Sequence, residues 1–209
     1  MGDRLILASK SPRRAELLKQ LGIDFDIAPS RVEEDVAPHE NPREHVSRLA
    51  EAKARDVADR FPDRWVLGAD TIVLIDDRIL GKPENEADAL DMLRQLSGQT
   101  HTVLTGISVH HRRKGVTDQE VVQTTVKVRP LLEDEMTWYL STGEPMDKAG
   151  AYAIQGLGTF MIESIHGSYT NVVGLPLCEL IRTLRRLGAI TFSNSGFQIG
   201  DEPNALRQR

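Results

Sequence analysis

The chain of 209 residues carries 26 basic and 31 acidic residues for a net charge of -5, and 40% of it is apolar, an ordinary composition for a globular protein. The acidic balance excludes a nucleic-acid binder that depends on a broad basic surface, so any basic site must be local. One cysteine, Cys178, rules out an internal disulfide and a cysteine-based zinc site, while the absence of any run near the roughly 18 apolar residues of a membrane span, with a first apolar run too short for a signal sequence, predicts a cytoplasmic protein with no membrane partner.

Residues 5–8 predict a short apolar strand, and 12–21 a helix with Ser11 as N-cap, Pro12 as first helical residue and Gly22 past its end. A second strand over 25–28 runs into an acidic loop at Glu33, Glu34 and Asp35. Asn41, Pro42 and Glu44 are cap, proline and capping-box glutamate of a helix reaching Arg60. Residues 65–75 read as a strand, with Asp76 and Asp77 turning into a short strand at 78–80. After the loop Gly81-Lys82-Pro83, a helix over 87–96 ends at Ser97-Gly98. Strands at 102–109 and 120–128 form an antiparallel pair, with His110 to Lys114 expected as an exposed tip. A helix over 132–140, a glycine-rich passage over 143–158, a strand over 159–165 and a helix over 177–187 follow, with Cys178 expected in the core. The result is a mixed α/β domain over 1–192 without internal repeats, and 193–209 read as a polar, mobile tail.

Chemistry concentrates where charge breaks these patterns. Ser9-Lys10-Ser11-Pro12-Arg13-Arg14 puts two arginines in a first helical turn that already favours an anion, so they either splay into solvent or meet a polyanion such as a phosphate chain. Asp70 interrupts an apolar run that reads as buried on both faces, so its carboxylate needs a hydrogen-bond partner, a cation or a metal. Lys53 lies within or beside the apolar stripe of Val46, Leu49, Ala50, Ala54 and Val57, and either snorkels outward or points into a cleft. Lys82 sits in a tight turn suited to presenting one charge, although no Walker A pattern surrounds it. Beside such cations, the carboxylates at 33–35 are natural ligands for Mg²⁺ shared with phosphate.

Taken in order, Ser9-x-Ser11-Pro12-Arg13-Arg14, Glu33-Glu34, Gly68-Ala69-Asp70-Thr71, Gly81-Lys82-Pro83, Leu96-Ser97-Gly98, Asp147-Lys148-Ala149-Gly150-Ala151-Tyr152 and Gly174-Leu175-Pro176 resemble the Maf family of nucleoside triphosphate pyrophosphatases. The resemblance covers about residues 5–187. It implies a Maf/ITPase-like mixed twisted β-sheet flanked by helices, in two lobes with a central cleft, a homodimer, and cleavage of nucleoside triphosphates into monophosphate and pyrophosphate with Mg²⁺ or Mn²⁺. It further implies that Ser9, Arg13, Arg14, Lys53 and Lys82 hold phosphate, that Glu34 helps bind metal, and that Asp70 accepts the proton of the attacking water or holds that water through the metal. Arg13, Thr71 and Gln155 match the branch acting on dTTP and UTP, where the 7-methyl-GTP branch has an aromatic, a glutamine and a glutamate. Two rival readings, a nucleotide-binding regulator of septum formation and a Maf enzyme for modified or purine nucleotides, are disfavoured by the retained carboxylates and by Thr71 and Gln155 respectively.

Overall fold

The computed structural model describes residues 4–34, 40–76, 78–193 and 196–200. Asp35, Asp77 and the tail beyond residue 200, all named above, lie outside these residues. In chain order the elements are β1 (Leu5–Leu7), α1 (Pro12–Gln20), β2 (Phe25–Ile27), α2 (Pro42–Arg60), β3 (Val66–Ile75), β4 (Arg78–Leu80), α3 (Glu86–Leu96), β5 (Thr100–His111), β6 (Val116–Val128) and α4 (Glu133–Ser141). Three 3₁₀ segments, Glu144–Asp147, Ala149–Ala151 and Gly156–Met161, precede β7 (Ile162–His166), α5 (Tyr169–Val173), α6 (Leu177–Arg186), β8 (Ile190–Ser193) and β9 (Gly196–Ile199).

A mixed sheet runs β2-β1-β3-β5-β6-β7, with β4 paired to β3. β1 pairs in parallel with both neighbours, Ile6 standing opposite Asp26 and Val66, and all three of its residues are buried, as an unbroken apolar run requires. The described residues divide into two compact units, the first drawn from 1–70, 106–122 and 174–209 and the second from 71–105 and 123–173, so that β3, β5 and β6 contribute residues to both.

In the first unit α2 buries Val46, Leu49, Ala50, Ala54 and Val57, the stripe its period predicts. Two glycines set how near this helix comes to the sheet. A Cβ at Gly68 in β3 would lie 2.2 Å from the Ala50 carbonyl oxygen, and one at Gly106 in β5 would lie 2.3 Å from that of Val46. Only backbone fits at either point. In the second unit Val73, Leu93, Leu96, Val126, Tyr139 and Met161 form the centre of a separate core.

Four differences from the sequence reading bear on individual residues or segments named above. His110 and His111 are not at an exposed tip: β5 continues through them, both are buried, and the His111 ring packs edge-on against Trp65 at 4.9 Å. Cys178 is exposed, because α6 turns Leu180, Thr183 and Leu184 inward and residue 178 falls off that face. The strand expected from residue 159 begins at Ile162, since Gly156–Met161 is wound as a 3₁₀ segment. The segment read as an aperiodic tail contains a strand: β9 pairs with β8, and the rings of Phe192 and Phe197 stand 4.8 Å apart.

Candidate active site

Ser11 takes the N-cap position of α1 with Pro12 following, but its side chain makes no capping bond and the first turn holds no acidic residue. The Ser11 N–H instead donates to Ser9 Oγ at 3.2 Å. Ser9 is buried, and its hydroxyl oxygen also accepts from Arg14 Nη1 at 3.2 Å. Arg14 donates through Nη1 to the Ala69 carbonyl at 2.9 Å and through Nε to that of Gly174 at 2.8 Å. The guanidinium therefore joins the start of α1 to the residue before Asp70 and to the loop before α6. Burial pushes its pKa below the usual value; Asp70 and Glu34 pull it back up, and Arg13 pushes it further down. The first turn of α1 thus carries two arginines and no acidic residue, an arrangement that favours an anion at a helix N-terminus.

Asp70 lies in β3 and Lys53 in α2, both buried. Lys53 Nζ donates to Asp70 Oδ1 at 2.7 Å and to Glu34 Oε1 at 2.6 Å. The two charges that looked out of place in apolar sequence thus meet each other, and the outward-snorkelling alternative for Lys53 fails. Gly68 explains why they can meet: the close seat of α2 on β3 brings a side chain near the middle of the helix onto the residue two places further along the strand. Taking Lys53 and Asp70 out of water is costly, and their direct pairing offsets that cost, while the half-exposed Glu34 adds a screened contact at the edge.

Two carboxylate oxygens within 2.7 Å of one nitrogen suit a hard divalent cation, which takes oxygen ligands and commonly uses one or two carboxylates together with substrate phosphate and water. No cluster of three or more His, Cys, Asp or Glu side chains of this kind occurs among the described residues. Among the described residues, Asp70 and Glu34 are the two carboxylates that Lys53 brings together.

The second unit carries Thr71, Lys82 and Gln155. Lys82 occupies an exposed turn, held because Gly81 accepts from the Gly150 N–H at 3.0 Å. The Thr71 and Thr105 hydroxyls are hydrogen bonded at 2.9 Å, and Thr105 Oγ1 also lies 3.2 Å from the Asn171 carbonyl oxygen. Gln155 is half-buried and lines an open surface depression of about 510 Å³ with Ile154, Ile162, Ile165 and Tyr169. Two groups of this unit escaped the sequence reading. Glu144 accepts backbone N–H groups just after Gln155, and buried His101 is hydrogen bonded through Nε2 to Tyr152 Oη at 2.7 Å, with its pKa pushed down to about 4 by burial. No local pattern marks either residue.

The family model described as Maf-like protein matches residues 4–187. The chain is 53% identical over 191 residues to a protein of Syntrophus aciditrophicus named dTTP/UTP pyrophosphatase, covering 91% of this chain and 93% of that one. It is 52% identical over 188 residues to one of the same name from Syntrophotalea carbinolica, covering 89% and 86%. Among solved structures it is similar to the Staphylococcus aureus Ham1 protein, at 14% identity and a TM-score of 0.46 over 77% of this chain and 80% of that one.

Proposed function

The chain belongs to the Maf family, and from that premise we propose that it is a nucleoside triphosphate pyrophosphatase, hydrolysing dTTP and UTP between the α- and β-phosphates to give monophosphate and pyrophosphate. The observation that carries the reading is the Asp70–Lys53–Glu34 bridge, buried at Asp70 and Lys53, with Arg14 hydrogen bonded to the neighbouring Ala69. A pure nucleotide binder gains nothing from two carboxylates brought near phosphate, whereas a hydrolase needs a proton acceptor and a cation site.

The N–H groups at the start of α1, with Arg13 and Arg14, hold phosphate oxygens, and Ser9 fixes Arg14 from below. Lys53 sets the rotamer of Asp70 through its 2.7 Å bond and keeps Glu34 against it. Asp70 takes the proton from the attacking water. Hydrolysis depends on a divalent cation, Mg²⁺ or Mn²⁺ held by Asp70 and Glu34, which supplies Lewis-acid neutralisation of charge on the phosphates. Lys82 contributes a further phosphate contact, and Thr71 and Gln155, with Arg13, select the base; a glutamine amide offers a donor and an acceptor to a pyrimidine edge. Residues 1–192 act as one catalytic domain that works as a homodimer in the cytoplasm, which light scattering and fractionation test.

A nucleotide panel assayed for pyrophosphate decides the matter. Pyrophosphate and monophosphate are expected in equal amounts, with dTTP and UTP ahead of CTP and purine nucleotides. Release of orthophosphate and a diphosphate, or full activity in excess chelator, overturns the assignment.

A further inference from the structure

The 3₁₀ segment Gly156–Met161 opens with N–H groups that the turn itself cannot satisfy, and an N-cap residue ordinarily covers them with a short side-chain oxygen. Gln155 holds that position with extended backbone, φ -108° and ψ 164°, and makes no capping bond. A carboxylate from the start of an earlier 3₁₀ segment does so instead. Leu157 N–H donates to Glu144 Oε2 at 3.0 Å and Gly158 N–H to Glu144 Oε1 at 3.1 Å. The hydroxyl of Tyr139, a fully buried residue, donates to the same Oε1 at 3.0 Å.

Gly156 is what lets the carboxylate in. Its φ is +69°, and a Cβ there would lie 2.7 Å from Glu144 Oε2. Burial alone would raise the Glu144 pKa, but the Leu157 and Gly158 N–H groups, the Tyr139 hydroxyl and the charge of Lys148 outweigh it and hold the carboxyl below its ordinary value. It therefore remains an acceptor at neutral pH. Thr159 Oγ1 closes the turn on the Gly156 carbonyl at 2.7 Å, and on the other side of Gln155 the chain is pinned where Tyr152 meets His101.

We propose that Glu144 is a positioning residue for substrate selection: by capping the turn in place of Gln155, it fixes the backbone of that residue and leaves its amide to the nucleobase. This rests on the base-selecting part given to Gln155 above. A glutamine committed to capping its own turn would have its side-chain oxygen turned onto the backbone, so the externally supplied cap is what makes a specificity role at this position possible.

The test is kcat/KM for UTP and for CTP in the native protein, Gln155→Ala, Glu144→Ala, Glu144→Gln and the double variant E144A/Q155A, each checked for folding by circular dichroism. The ratio of the two constants is the readout, because loss of folded enzyme lowers both substrates alike and cancels, as a purely structural role would. Gln155→Ala should flatten the preference for UTP, and Glu144→Ala should lower it about five- to tenfold, the loss of one well-placed hydrogen bond. Glu144→Gln, which keeps one acceptor, should fall between. In the double variant the ratio should drop no further than in Gln155→Ala, since residues acting through one another do not add. If Glu144→Ala does not fold, Glu144→Gln decides alone. An unchanged ratio in the folded Glu144 variants, with Gln155→Ala flattened, overturns the positioning role and spares base selection by Gln155. An unchanged ratio in Gln155→Ala removes base selection and this inference with it, while pyrophosphate release from UTP stands apart from both.

Discussion

Replacing Lys53 by Met removes the ammonium from between Asp70 and Glu34 while keeping the length of the side chain that fills the seat of α2. The two halves of the bridge are unequal, since the Lys53 and Asp70 side chains are 7% and 9% exposed and that of Glu34 is 53% exposed. Breaking a buried pair by deleting one partner costs about 3–5 kcal/mol, because the survivor is left as an uncompensated charge. The half-exposed contact to Glu34 is screened and adds at most about 1 kcal/mol. At 2–4 °C per kcal/mol for a chain of this size, thermal unfolding followed by circular dichroism should show a fall of about 10 °C. The sharper measurement is the double variant Lys53→Met with Asp70→Asn, which leaves a neutral pair. It should be more stable than the sum of the single effects by about 0.5–3 kcal/mol. If Lys53→Met leaves the melting temperature where it was and only raises KM, the lysine is a solvated phosphate contact and the bridge is not what organises the site.

Asp70→Asn should keep nucleotide binding by calorimetry but lose turnover by about 10²–10⁴-fold, the usual cost of removing a general base; turnover at the native rate would remove Asp70 from the chemistry. Gly68→Ala should destabilise by about 1–3 kcal/mol or more, because its Cβ would lie 2.2 Å from the Ala50 carbonyl oxygen, and should also lower kcat in the folded fraction by moving Lys53 off Asp70; an unperturbed melt would show that α2 has room to shift. His101 should make stability pH-dependent. Its pKa falls from 6.5 to about 4 on folding, so the unfolded chain binds the proton first. The contribution is complete above pH 6.5 and is lost as pH falls toward 4, by up to about 3 kcal/mol. Nδ1 of this ring is buried without a hydrogen-bond partner among the described residues, so a second ring N–H would have no acceptor. Denaturant unfolding of His101→Phe across that range should show a flatter profile than the native chain, and parallel profiles would refute the assignment.

What the sequence revealed follows the range of the interactions concerned. The starts of α1 and α2 were legible because caps act over a few residues: Asn41 accepts from the Arg43 N–H at 2.9 Å, and Ser11 with Pro12 marks the other start even though the Ser11 side chain makes no cap bond. β1 and β3 were legible because strands buried on both faces leave unbroken apolar runs. His110 and His111 misled because local charge suggested a turn, while β5 continues through both and a tryptophan distant in sequence packs against His111. Cys178 misled because apolar neighbours on both sides do not say which way a helix faces.

The same reasoning separates two kinds of functional carboxylate. Asp70 stood out because its partner is a side chain, so the pair left two anomalies in the pattern, an aspartate in a buried strand and a lysine in a buried stripe. Glu144 is held by the backbone N–H groups of Leu157 and Gly158, which every residue but proline carries and which no sequence position advertises. The one trace it leaves is Gly156, whose missing Cβ is the space the carboxylate occupies. A glycine at positive φ just after a candidate specificity residue therefore points to a backbone-directed anchor to be sought in the fold, where reading charge against burial along the chain finds only the anchors that are made by side chains.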